Sequence, residues 1–112
     1  MATWADVREL GLALTEVEEG TSYRQPALRV AGKWFAAMSP HEQGALVLHC
    51  DPAERPLMTA ANEAVYYVTP HYEAYPLVLV RLDAIEREEL HGRLLDSWLL
   101  RAPERIRRGV RR

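Results

Sequence analysis

The chain has 112 residues, 48% of them hydrophobic and 27% charged, the size and composition of one soluble domain able to bury a core unaided. Its single cysteine, Cys50, excludes an internal disulfide, no apolar run nears the ~18 residues of a membrane span, and the first residues lack a secretory leader, so a cytoplasmic location is expected. A net charge of −2 speaks against strong attraction to a polyanion, although six arginines fall between Arg101 and Arg112 and residues 104–112 read as a basic tail.

Thr3 is placed to cap a first helix, with Asp6 as its acidic partner three residues on. Val7, Leu10, Leu14 and Val17 recur at helical spacing, which predicts a helix that continues until Gly20 stops it. Leu28 and Val30 alternate with Ala27 and Arg29 as in a half-buried strand. Ala31-Gly32 reads as a hairpin turn, and residues 33–38 beyond it are apolar at nearly every position. Turn composition at residues 40–44 leads to a further apolar run at 45–50, so these segments predict an antiparallel meander. Asp51 followed by Pro52 predicts a short helix capped at Asp51 and reaching Ala61. Tyr66-Tyr67-Val68 reads as a short extended segment. Residues 76–82 form the clearest strand, with Pro76 at its tolerated first position. Asp83 and Glu86 read as an acidic capping box opening the strongest helix, which carries a stripe of Leu90, Leu94, Leu95, Trp98 and Leu99 and ends at Pro103.

Two terminal helices, each with one apolar stripe, flanking an antiparallel sheet predict an α+β two-layer sandwich with both helices on one face. Burial of the last helix's large side chains is worth on the order of 8–15 kcal/mol before chain entropy is charged. The other face of the sheet is expected to meet solvent or a partner.

No nucleophile elbow, phosphate loop, dinucleotide fingerprint or zinc-protease motif occurs, and Ser22, Ser39 and Ser97 stand outside any catalytic pattern. His41, His49, His71 and His91 never recur at the spacing of helix-borne metal ligands. No enzymatic activity, metal or cofactor is therefore expected. Cys50 reads as a small buried hydrophobe, and Glu16, Glu18 and Glu19 as a solvated helix end.

What remains is a basic and aromatic set. Arg24, Arg29, Lys33 and Trp34 lie on the first hairpin, His71, Tyr72 and Tyr75 on the loop before the last strand, and Arg81 on that strand. Such cations neutralise phosphates and such rings stack on bases. Arg24, Arg29, Lys33, Trp34, His71, Tyr72 and Arg81 are thus the candidate contacts to double-stranded DNA, and Lys33 serves such a wing only if it shares a face with Arg29. The alternative is a small-molecule or protein-interaction domain that uses the open sheet face.

The order of elements, together with Pro26-Ala27-Leu28-Arg29-Val30-Ala31-Gly32-Lys33-Trp34-Phe35-Ala36-Ala37, Thr69-Pro70-His71-Tyr72, the strand at 76–82 and Leu94-Leu95-Asp96-Ser97-Trp98, resembles the MmcQ/YjbR family. The likeness runs roughly from residue 7 to residue 103. It implies a fold like that of bacterial frataxin, with helices covering one face of an antiparallel sheet. It also implies a non-enzymatic DNA-binding role through a double-wing arrangement of strands and loops. No catalytic activity or cofactor comes with the resemblance, and fold-sharing with frataxin does not carry iron binding across. Leu28 stands where members of the family often have phenylalanine, and Thr15-Glu16 where they often have proline and glycine. Glu73 puts an anion into the loop where some carry lysine, and Trp98 follows Ser97 where tyrosine is usual.

Overall fold

Residues 1–109 are described by the computed structural model. Thr3 opens α1 (Trp4–Leu12) as expected, with the Asp6 carboxylate accepting from the Thr3 amide at 2.9 Å and from its hydroxyl at 3.2 Å. The helix stops well short of Gly20. At Gly11 it approaches the sheet so closely that a Cβ would stand 2.2 Å from Leu28 Cδ1. Glu16 then adopts a left-handed backbone, φ 54°, which no helix continues through. Val17–Ser22 is instead β1, paired antiparallel with β2 (Gln25–Val30) from Val17 opposite Val30 to Ser22 opposite Gln25. Leu14 and Val17 do pack against the core. The spacing that predicts a continuing helix arises because a loop and a strand each turn one apolar side chain inwards.

Two tight hairpins follow. Tyr23-Arg24 (φ 50° and 67°) and Ala31-Gly32 (φ 49° and 85°) are two-residue turns with both central residues left-handed, the geometry whose twist suits paired strands. β3 (Lys33–Met38) and β4 (Ala45–His49) complete the expected meander. The unbroken apolar run of β3 has a structural cause. Arg29 pairs with Trp34 but Leu28 pairs with Ala36, so Phe35 is the extra residue of a β-bulge. Phe35 and Ala36 both enter the helix-covered core, while Trp34 packs on the opposite side of the sheet.

α2 (Arg55–Ala61) begins later than the sequence predicts. Asp51 closes a turn of its own, accepting from the Ala53 amide at 2.9 Å, and Pro56 takes the tolerated place in the helix's first turn. β5 (Tyr66–Tyr67) and β6 (Leu77–Arg81) complete a six-stranded antiparallel sheet in the order β1-β2-β3-β4-β6-β5. α3 (Arg87–Arg101) starts after Glu86 rather than after Asp83. The Ala84 and Ile85 amides first close a turn on the Arg81 carbonyl, which buries Ile85 completely. Beyond Pro103 a single turn, α4 (Glu104–Arg107), seats Ile106 in the core. Residues 110–112 of the basic tail lie outside the described residues.

α1 and α3 lie on one face of the sheet and bury Val7, Leu90, Leu94 and Trp98 against Leu28, Val30, Leu46, Leu48, Val78 and Val80. Trp98 is wholly buried, and its Nε1 donates to the Thr15 carbonyl at 3.1 Å. The architecture is therefore the α+β two-layer sandwich. Its other face is not bare, because Tyr72, from the loop at residues 69–76, joins Ala45, Val47, Leu77 and Leu79 in a second, smaller core.

Candidate functional site

Between that loop and the sheet lies a cavity of about 460 Å³. Trp34 and Ala37 of β3, Val47 and His49 of β4 and Leu77 of β6 form its floor. The tip of the first hairpin brings Ser22 and Tyr23 to one side. The loop after β3 brings His41, and residues 69–76 bring His71, Tyr72 and Tyr75. Among the described residues, no lysine, arginine, aspartate or glutamate lines the cavity.

The roof is tied down at two points. Arg55 of α2 donates to the carbonyls of Tyr75 (2.7 Å), Leu77 (3.1 Å) and Glu73 (3.0 Å), so one guanidinium holds the whole return of the loop. Tyr72 is buried, with its Oη 2.7 Å from Ser39 Oγ. Ser39 Oγ also accepts from the amides of His41 at 3.1 Å and Glu42 at 3.0 Å. A hydroxyl has two lone pairs, and two amides directed at Ser39 Oγ favour Ser39 as the donor to Tyr72 Oη. The phenolic proton of Tyr72 is left for another acceptor.

The floor is held from behind by α3. The buried Ser97 hydroxyl donates to the Phe35 carbonyl and accepts from the His49 amide at 3.0 Å. It sits just beyond Ala36 opposite Leu48, where the regular pairing of β3 with β4 ends. Arg101 Nε donates to the Trp34 carbonyl at 3.0 Å. The two backbone segments that carry Trp34 and His49 are therefore set by side chains of the helix on the opposite face. Their rings meet with centroids 4.4 Å apart. Burial, and then the Arg101 charge, push the His49 pKa down to about 4, so its imidazole is neutral near pH 7. Its Nε2 is buried without a hydrogen-bond partner among the described residues. At the rim, the His41 and His71 rings are 4.1 Å apart, and His71 stands edge-on to Tyr72 at 4.9 Å.

Of the residues singled out by sequence, Trp34, His71 and Tyr72 come together in this cavity. Arg29 shares the face of Trp34, its cross-strand partner, but its guanidinium lies over Gly20 and donates to the Thr21 carbonyl. Arg81 lies on the same face, 3.9 Å over the Tyr67 ring, and donates to the Glu63 carbonyl at 3.1 Å. Arg24 is exposed at the hairpin tip beside Tyr23. Lys33 is opposite Val30, a residue of the helix-covered core, and neighbours on a strand face opposite ways, so Lys33 points away from Arg29. Sequence reasoning passed over Ser39, His41, His49 and Arg55. Nothing local marks them, since each acquires its place from partners 18 or more residues distant or from the closing of a loop.

A second cavity, of about 540 Å³ on the α3 side, mixes Asp51, Glu54 and Asp96 with Arg93 and Arg107. Cys50 lines it, with burial raising its thiol pKa. Nearby Tyr66 donates to Glu89 and accepts from Arg93 Nε at 2.8 Å, and burial leads the causes that raise its pKa to about 12. Among the described residues no three His, Cys, Asp or Glu side chains converge as a metal site requires, and no helix is long and apolar enough to cross a membrane.

A family model described as YjbR matches residues 12–100. The chain is 30% identical, over 122 residues, to the uncharacterized protein Rv2570 of Mycobacterium tuberculosis and to the uncharacterized protein Mb2600 of Mycobacterium bovis. In both cases 95% of this chain and 93% of the relative are covered. Among solved structures, the Deinococcus radiodurans protein DR2400, with family-model domain DUF419, matches with a TM-score of 0.78 at 21% identity. That match covers 97% of this chain and 88% of the other, and it speaks to the fold alone.

Proposed function

The chain belongs to the YjbR family, and we propose that it acts as a binding protein rather than an enzyme, holding a small molecule between the sheet and the loop at residues 69–76. The observation that carries this is the aromatic cavity. Its volume of about 460 Å³ falls within the ~300–1,000 Å³ typical of small-molecule sites, and its walls are apolar with a few placed polar groups. Among the described residues no carboxylate lines it to orient His41, His49 or His71 as a general base, which supports binding over catalysis.

A ligand-observed NMR screen of anionic, cationic and uncharged fragments tests the proposal. Hits are expected on the unaltered protein and not on Ala37→Phe, whose side chain fills the floor. Tyr23→Asn at the exposed rim serves as a second variant, since asparagine tolerates the left-handed backbone there. An empty screen, or hits that persist in both variants, contradicts it.

Duplex DNA is the second proposal, through Arg24, Arg29, Lys33, Trp34, His71, Tyr72 and Arg81. It is favoured by the placing of Arg29 and Arg81 on the same sheet face as Trp34. The net charge of −2, the engagement of both arginines with backbone carbonyls and the opposite facing of Lys33 weigh against it. Fluorescence anisotropy with a labelled duplex at low salt decides it. Binding that weakens with salt and is lost in Arg24→Glu supports DNA, and no binding at all dismisses it.

A further inference from the structure

We infer that the cavity selects an uncharged, planar ring system bearing a hydrogen-bond acceptor such as a carbonyl, which lies against Trp34 and accepts the phenolic proton of Tyr72. This rests on the small-molecule proposal above and narrows the class of ligand.

Planarity follows from the walls. Trp34, Tyr72 and Tyr75 present flat surfaces, and Ala37, also on the floor, leaves room beside the Trp34 indole. Rings packed on rings favour offset-stacked or edge-to-face contacts, which a flat ligand supplies over its whole area.

The absence of charge follows from the missing counter-ions. An ion taken out of water must be met by an opposite charge, by aromatic faces if it is a cation, or by several hydrogen bonds, and among the described residues the lining contains no Arg, Lys, Asp or Glu. Arg29 and Arg81 share the face but lie outside the lining, each bound to a backbone carbonyl. A phosphate or carboxylate would therefore enter with no fixed cation to receive it. A cation would meet the ring faces of Trp34, Tyr72 and Tyr75, but among the described residues no carboxylate in the wall balances its charge, so it gains less there than in a site that pairs it.

The acceptor follows from the hydrogen-bond count around Ser39. Two backbone amides directed at Ser39 Oγ favour Ser39 as the donor to Tyr72 Oη. Among the described residues no other hydrogen bond engages Tyr72 Oη, so its proton is a donor held on a buried ring whose position Ser39 fixes. A ligand oxygen or ring nitrogen is its natural partner.

Calorimetric titration with three bicycles of one size tests the inference: uncharged 2-quinolone, anionic quinoline-2-carboxylate and cationic 1-methylquinolinium. The expected Kd for 2-quinolone is at least tenfold lower than for either ion. It should rise about fivefold in Tyr72→Phe and more than tenfold in Trp34→Ala. If Trp34→Ala folds poorly, Tyr75→Ser, at a ring 54% exposed, should weaken binding about threefold. Equal or tighter binding of either ion overturns the ligand class. So does 2-quinolone binding that Tyr72→Phe leaves unchanged, or no 2-quinolone binding by any variant. If ions bind and are still excluded by Ala37→Phe, the class of ligand fails while the small-molecule proposal stands. If nothing binds, both fail.

Discussion

On the α1–α3 side of the sheet, Leu28, Leu46, Leu48, Val78 and Val80 meet Leu90, Leu94 and Trp98 with none of these side chains more than 1% exposed. On the loop side, Trp34, His49, Tyr72 and Tyr75 surround an unfilled volume instead. One face is packed like the interior of any small domain, and the other sets stiff rings, in contact pairwise, around a cavity. The difference teaches where to look for stability and where for binding. It also shows how the two are joined, because Ser97 and Arg101 reach from the packed face to the strands that carry the rings.

The sharpest way to separate the faces is to damage the packed one. Trp98→Ala removes a wholly buried side chain and leaves the Thr15 carbonyl without its donor, so a loss of about 3–5 kcal/mol is expected in urea unfolding. A loss below about 1 kcal/mol would contradict the assignment of α3 to the main core. Ser97→Ala tests the link between the faces. It orphans the Phe35 carbonyl and the His49 amide together, so about 2 kcal/mol of stability should go, and 2-quinolone binding should weaken as Trp34 and His49 lose their setting.

Arg55→Gln probes the roof alone. Losing charge-assisted bonds to three carbonyls should cost about 1–2 kcal/mol. Amides at residues 69–76 should exchange faster while those of α3 keep their protection. If α3 exchanges equally faster, the roof is not an independent unit.

His49 gives the cavity floor a signature in acid. Its pKa falls from 6.5 to about 4 on folding, so below pH 6.5 the unfolded chain takes up a proton that the folded chain refuses. Stability is full above about pH 6.5 and should fall as the pH is lowered towards 4. The loss is about 1–2 kcal/mol once solvent screening of a partly exposed ring is allowed for. His49→Gln should flatten that limb, and an unchanged pH profile would place the acid sensitivity elsewhere. At the small end, Lys33→Glu on the helix side should alter stability by no more than about 0.5 kcal/mol and leave 2-quinolone binding untouched.

The packed face was legible in the sequence because its signals are periodic. The stripe of Leu90, Leu94 and Trp98 and the alternation at Leu28 and Val30 announce a buried side wherever they fall. The failures share one cause, a tertiary contact that overrides a local pattern. Val17 continues a helical spacing yet pairs with Val30; Asp51 looks like a helix cap yet closes a turn ahead of α2, and Asp83 lies within the turn that the Ala84 and Ile85 amides close on the Arg81 carbonyl. The cavity was legible only in part. Trp34, His71 and Tyr72 stand out as aromatic residues near turns, whereas Ser39 and Arg55 act through backbone atoms that no side-chain pattern reveals. The facing of Lys33 depends on strand register beside the bulge at Phe35, which composition does not encode.

The claim that binding belongs to the loop face is tested most directly by an amide-resolved NMR titration with 2-quinolone. Saturable shifts at Ala37, His49 and Tyr72, absent from α1 and lost in Ala37→Phe, are the predicted result. Shifts centred on Arg93 and Asp96 at the other cavity, or none that saturate, would contradict it.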